Sequence, residues 1–149
     1  MQAEFSSISH DHYADADLAR ILLQSKTIAL VGASLNPLRP SYGVMRFLLG
    51  RGYEVIPVNP GLAGQEIHGQ LVFENLAAIP QPIDLVDVFR NSRAVPALID
   101  EILALQVRPK FVWMQLGVYD LAAAKRAEAA GIEVVMNRCP AIEIPRLRL

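Results

Sequence analysis

The sequence predicts an α/β domain with a mainly parallel, doubly wound sheet covered by helices on both faces, three layers in all. Strand-length apolar runs recur along the chain without polar alternation: TIALV, YEVIPVN, IDLVDVF, KFVWMQ and IEVVMN. An unbroken apolar run suits a strand buried on both faces. Helical stretches separate these runs. Regular alternation of strand and helix calls for a parallel sheet with right-handed crossovers, a Rossmann-like arrangement. At 149 residues the chain is long enough for one core and short for two. No repeat, low-complexity tract or linker divides it. The expected organisation is an N-terminal arm and short helix over residues 1–25, then one domain over 26–149.

The elements follow in order. Residues 1–14 are polar and aperiodic and read as a mobile arm. DADLARILLQS reads as a short helix capped by Asp15 or Asp17, with Leu18, Ile21 and Leu22 on one face. Thr27 to Val31 is the first strand. SYGVMRFLLGRG is a helix capped by Ser41 and stopped by Gly50 or Gly52, burying Val44, Phe47 and Leu48. Tyr53 to Asn59 is the second strand, with Pro57 expected near its end because proline cannot complete a ladder on both sides. Residues 60–70 read as loop, and LVFENLAAIPQP as a short strand or turn. Ile83 to Phe89 is the third main strand. In SRAVPALIDEILALQ, Val95, Leu98, Ile99, Ile102 and Leu103 fall at helical spacing, and Pro96 sits in the first turn, where a missing N–H costs little. Lys110 to Gln115 is a strand, YDLAAAKRAEAAG a helix ended by Gly131, and Ile132 to Asn137 the last strand. CPAIEIPRLRL reads as a tail.

Composition narrows the function classes. The formal net charge is −1 with the signs interspersed, which suits neither a nucleic-acid surface nor a polybasic membrane patch. No apolar run approaches the ~18 residues of a membrane span. The N-terminus lacks the basic start and apolar stretch of a secretory leader. The single cysteine, Cys139, excludes an internal disulfide and a cysteine zinc cluster. A cytoplasmic protein is expected.

In this architecture ligands sit at the carboxyl ends of the strands. The loops there are GASLNPLRPSYG, NPGLAG, FRNSR and QLGVY. The first suits a phosphate. Gly32 permits a tight turn, Ala33 and Ser34 are small, a helix starts near Ser41, and Arg39 offers a charge-assisted contact. The spacing is not G-x-G-x-x-G, since Ser34 and Pro37 stand at its second and third glycines. The second strand ends on Asn59, where an NAD site usually carries an acid, and no arginine follows directly to read a 2′-phosphate. A structural turn without ligand is the lesser alternative for the loop taken alone.

VGASLNPLRPSYGV, GYEVIPVNPG, IDLVDVFR, FVWMQLGV and AGIEVVMNRCPAIE, taken together and in order, resemble the bacterial CoA-binding domain family. Its members are small stand-alone proteins similar to the N-terminal domain of the succinyl-CoA synthetase alpha subunit. The resemblance covers residues 25–149 and implies coenzyme A rather than NAD. By position it implies a phosphate turn at Gly32, Ala33 and Ser34, and an R-x-S-Y-G segment at Arg39, Ser41, Tyr42 and Gly43. It also implies a nucleotide-facing turn at Val58, Asn59 and Pro60, and a contact segment at Val88, Phe89 and Arg90. Where the synthetase commonly has a lysine after V-N-P, this chain has Gly61, so Arg39 and Arg90 are the candidate cations.

No nucleophile–base set stands out. His10 and His12 lie in the polar arm with no third metal ligand nearby, and His68 lies in a loop without a Ser or Cys partner. The synthetase's phosphorylated histidine belongs to a domain this chain lacks. The resemblance therefore implies a binder of CoA or an acyl-CoA without ligase activity: a carrier, sensor or regulator, not an enzyme. Two alternatives stay open, an NAD(P)-binding oxidoreductase or redox sensor, and an interaction module that has lost its ligand. Cys139 is either a reactive thiol beside Arg138 or a buried structural one, the second being the commoner state of free cysteine. Asp84 and Asp87 fall on opposite faces of their strand and are no catalytic pair. Trp113 and Met114 are expected in the core, and Gln115 and Gly117 at the ligand edge. The expected partner is a small molecule, with a homodimer through the AIEIPRL tail as an open possibility.

Overall fold

The computed structural model describes residues 9–149. Helix α1 (Asp15–Gln24) leads into β1 (Thr27–Val31), then α2 (Pro40–Gly50) and β2 (Glu54–Val58). A small antiparallel hairpin follows, β3 (Glu66–Ile67) and β4 (Gln70–Leu71). After it come β5 (Leu85–Val88), α3 (Val95–Leu103), β6 (Phe111–Met114), α4 (Leu121–Ala129), β7 (Glu133–Val135) and α5 (Pro140–Arg146).

The main sheet has the order β2-β1-β5-β6-β7, every pair parallel. Numbering its strands along the chain gives 2-1-3-4-5, the doubly wound order whose connections reverse direction between β1 and β5. Successive residues of each strand face opposite layers. Ile28, Leu30, Leu85, Phe111 and Trp113 pack against α1, α2 and α5. Ala29, Val31, Val86, Val88, Val112 and Met114 pack against α3 and α4. Three layers result, and the continuous apolar runs are explained because both sheet faces are covered.

Several local features differ from the sequence expectation. The first eight residues of the expected arm lie outside the described residues. His12 is exposed, but Tyr13 is buried, its hydroxyl accepting from the Met136 N–H at 2.9 Å. His10 joins that hydroxyl at 2.6 Å and Glu128 at 2.7 Å, so the end of the arm is docked. Ala14, not an aspartate, is the N-cap of α1; Asp15 and Asp17 sit in the first turn, where they favour the helix dipole. Helix α2 starts at Pro40 with Arg39 as N-cap, which places Ser41 inside the first turn instead of at the cap. Pro57 lies within β2, tolerated because β2 is an outer strand of the sheet. The expected 60–70 loop holds a three-residue 3-10 turn and most of the β3–β4 hairpin. The expected tail forms α5, with Ile144 buried against the sheet layer and Ile142 exposed.

Candidate functional site

The end of β1 is held in a tight crossing. Gly32 and Ala33 both donate their N–H to the Val58 carbonyl, at 3.0 and 3.3 Å, while the Phe89 N–H donates to Val31 at 2.8 Å. Gly32 has φ +92°, and a Cβ there would stand 2.2 Å from the Phe89 carbonyl oxygen. Only glycine lets the loops after β1 and β5 approach this closely.

Side chains build the rest of the first loop. The Ser34 hydroxyl accepts from the Asn36 N–H at 3.0 Å, and the Asn36 side chain accepts from the Leu38 N–H at 3.0 Å. These local turns carry the chain outward, leaving Leu38 91% exposed, before Arg39 and Pro40 turn it into α2. Among the described residues no side chain caps α2, whose first two residues, Pro40 and Ser41, border the cleft beside this loop. Asn59 explains why no acid ends β2. Its Nδ2 donates to the Ala33 carbonyl at 2.7 Å and its Oδ1 accepts from the Gly61 N–H at 2.9 Å, so the amide ties two loops together. A carboxylate has no N–H to make the first bond.

A cleft of about 560 Å³ opens between these loops at the carboxyl ends of β1, β2, β5 and β6, across the point where the topology reverses. Gly32, Ala33, Ser34, Arg39, Ser41, Asn59, Phe89 and Arg90 line it. The remaining sequence candidates lie elsewhere. Val58 and Val88 are buried in the core facing α3. Tyr42 packs against His68, ring centroids 4.2 Å apart, and the His68 ring bonds the Tyr42 carbonyl at 2.9 Å. Gly43 is exposed with open space around it, and Pro60 is exposed at the start of a 3-10 turn. Among the described residues neither Arg39 nor Arg90 has a carboxylate partner, so both guanidinium groups are available to an anion.

The cleft's far side comes from the β6 and β7 loops. Gln115, Leu116, Val118 and Cys139 line it, with Pro40 and Val44 from α2. The loop after β6 is pinned: Asn137 Oδ1 accepts from the Gly117 N–H at 2.7 Å, and Ser92 Oγ accepts from the Tyr119 N–H at 3.0 Å. Cys139 is 6% exposed and borders the cleft at the start of α5. Trp113 is fully buried, and its indole N–H donates to the Arg138 carbonyl at 2.9 Å.

The two aspartates of β5 and its approach behave differently. Burial raises the Asp84 carboxyl, but the Thr27 and Lys26 N–H groups and Lys110 outweigh it and leave the group below its ordinary range. It ties strand ends together at the far edge of the sheet. Asp87 is fully buried, both carboxylate oxygens lack a partner among the described residues, and burial pushes its carboxyl well above the ordinary range. Among the described residues no three His, Cys, Asp or Glu side chains gather as a metal site.

The cradle, its free cations and its position suit a phosphorylated ligand. The model of one family, described as a CoA binding domain, matches residues 26–145. The chain belongs to the CoA binding domain family. Its relative YneT of Bacillus subtilis, itself uncharacterised, is 38% identical over 124 residues, covering 83% of this chain and 89% of that protein. The alpha subunit of an ADP-forming acetate–CoA ligase from Pyrococcus furiosus is 31% identical over 84 residues. The match covers 54% of this chain but only 18% of the ligase subunit. Among solved structures, the protein ID.343 of Thermus thermophilus has a TM-score of 0.84 at 40% identity, covering 90% of this chain and 98% of that one. The chain is thus similar over most of its length to proteins of its own size, and over about half of it to part of a larger ligase subunit.

Proposed function

We propose that this protein binds coenzyme A or an acyl-CoA in the cleft at the carboxyl edge of its sheet, as a carrier, sensor or regulator without chemistry of its own. The family supports the ligand class. The observation that carries the reading to this chain is the pairing of the Gly32 crossing with two guanidinium groups, Arg39 and Arg90, that have no carboxylate partner among the described residues, at one cleft. Coenzyme A has a pyrophosphate and a third phosphate on its ribose. The donor set fits: the uncapped start of α2 and the small residues Ala33 and Ser34 suit the pyrophosphate, and the two arginines supply the charge that Gly61 does not. Phe89, Leu116 and Val118 give the pantetheine arm an apolar track.

The non-catalytic part of the reading rests on what borders the cleft: arginines, amides, two serines and a thiol, with no His, Asp, Glu or Lys among the described lining residues. Native mass spectrometry of the purified protein, then calorimetric titration with CoA and NAD, tests the proposal. CoA is expected to bind and NAD is not. Arg39→Ala lowers CoA affinity about tenfold or more, the weight of a charge-assisted hydrogen bond, and leaves the melting temperature unchanged because Arg39 is exposed. Binding of NAD(P) without CoA overturns the reading in favour of a hydride-linked role. Binding of neither leaves an interaction module.

A further inference from the structure

Gln115 lies where β6 ends, 5% exposed, in the lining of the cleft. Its amide oxygen is buried and has no hydrogen-bond donor among the described residues. Such a group is costly to leave unsatisfied, and native structures rarely keep one without a reason. Trp113 pairs with Asp87 across β5 and β6, so Gln115, two residues further along, stands diagonally from Asp87 on the same sheet face. Asp87 is likewise unpartnered. Two polar side chains thus stand on one face of the sheet, whose apolar layer holds Leu30, Ala33, Val44 and Trp113, and of the two Gln115 lines the cleft.

We propose that Gln115 is a ligand-reading residue whose buried amide oxygen accepts a hydrogen bond from an amide N–H of the ligand's arm. This rests on the CoA reading above. The phosphate cradle is at β1, and β6 lies two strands away, about 10 Å along the hydrogen-bonding direction. A ligand anchored at the cradle reaches Gln115 only with the part of its arm well beyond the phosphates. In pantetheine the hydroxyl lies close to the pyrophosphate, whereas the amide N–H groups lie further along. Gln115 thus separates ligands with an amide-bearing arm from nucleotides that carry the same phosphates without one.

The test is calorimetric titration of wild type and Gln115→Met with CoA and with adenosine 3′,5′-bisphosphate, which lacks the arm and the outer phosphate of the pyrophosphate, so that each ligand is compared between the two proteins. Met keeps the length and removes the acceptor. The expected result is a loss of about tenfold in CoA affinity with the bisphosphate unchanged. A CoA analogue with N-methylated pantetheine amides, titrated into the wild-type protein, removes the donor instead, and is expected to bind about tenfold more weakly than CoA. It decides the matter if Gln115→Met does not fold. Wild-type CoA affinity in Gln115→Met, equal losses for both ligands, or full affinity for the methylated analogue overturns the role of Gln115 and leaves the CoA reading standing. No CoA binding by the wild-type protein overturns both.

Discussion

At Gly32 a side chain has nowhere to go. The Phe89 carbonyl oxygen occupies the Cβ position to within 2.2 Å, and φ is +92°. Gly32→Ala must therefore part the loops after β1 and β5. The expected loss is more than about 2 kcal/mol of stability, read by thermal or denaturant unfolding, with CoA binding abolished. A near-wild-type melting temperature contradicts this close approach. Asp87 makes a different prediction. Its folded carboxyl holds a proton to higher pH than the unfolded chain does, because burial disfavours the charge. Its burial is therefore least harmful below the unfolded value of about 4, and stability falls as pH rises from there towards the folded value. Asp87→Asn fills the same space and cannot ionise. It is expected to unfold like wild type near pH 4 and to be more stable at pH 8, and equal stability at both pH values excludes a buried titrating carboxyl. Gly32 was legible because a glycine directly after an apolar strand marks a tight turn by local pattern alone. The unpartnered state of Asp87 and Gln115 was not, because a missing partner belongs to the assembled core and leaves no trace in local pattern.

Elements were legible where burial alone defines them and illegible where proline sets their ends. The runs at β1, β5 and β6 are uninterrupted because each has a strand on either side and a helix layer on both faces. The sequence pattern sets the cap of α2 two residues too late because Ser41 is a good cap in isolation, yet Pro40 before it fits the first helical position and pushes Arg39 into the extended cap conformation. Helix α5 went unread for a related reason. Pro140 stands at its start and Pro145 in its last turn, two residues that look like breakers. Pro140 has no N–H to leave unsatisfied, and Pro140, Glu143 and Ile144 supply the buried face. The docking of the segment before α1 also depends on distant partners, since Tyr13 meets Met136 and His10 meets Glu128. Removing the Tyr13 hydroxyl leaves the buried Met136 N–H without that acceptor. Tyr13→Phe is expected to cost about 1–3 kcal/mol, with faster hydrogen exchange at Met136 and little change in CoA affinity. Unchanged stability means that the hydroxyl contributes nothing to the docking.

The molecule as a whole divides into two ends with different duties. At the amino edge of the sheet, Asp84 gathers the Lys26 and Thr27 N–H groups and Lys110, a purely structural knot. At the carboxyl edge, loops from β1, β2, β5 and β6 converge on one cleft because the strand order reverses between β1 and β5, sending their following helices to opposite faces. A separate cleft of about 430 Å³ lies around residues 76–83 and 104–107 at the other end of α3, lined by apolar residues, prolines and two glutamines. Ligand binding at the carboxyl edge should therefore be felt unevenly. With saturating CoA, backbone amides at residues 32–41, 59–61, 89–92 and 115–118 are expected to exchange more slowly, because those loops gain contacts and lose local opening. Amides at 76–83 and 104–107 should not change. Hydrogen-exchange mass spectrometry with and without CoA reads both regions in one experiment. Protection confined to 76–83 and 104–107 would move the ligand to the opposite edge. Protection at the first loop without the segment after β6 would leave the phosphate cradle in place and remove the arm from Gln115.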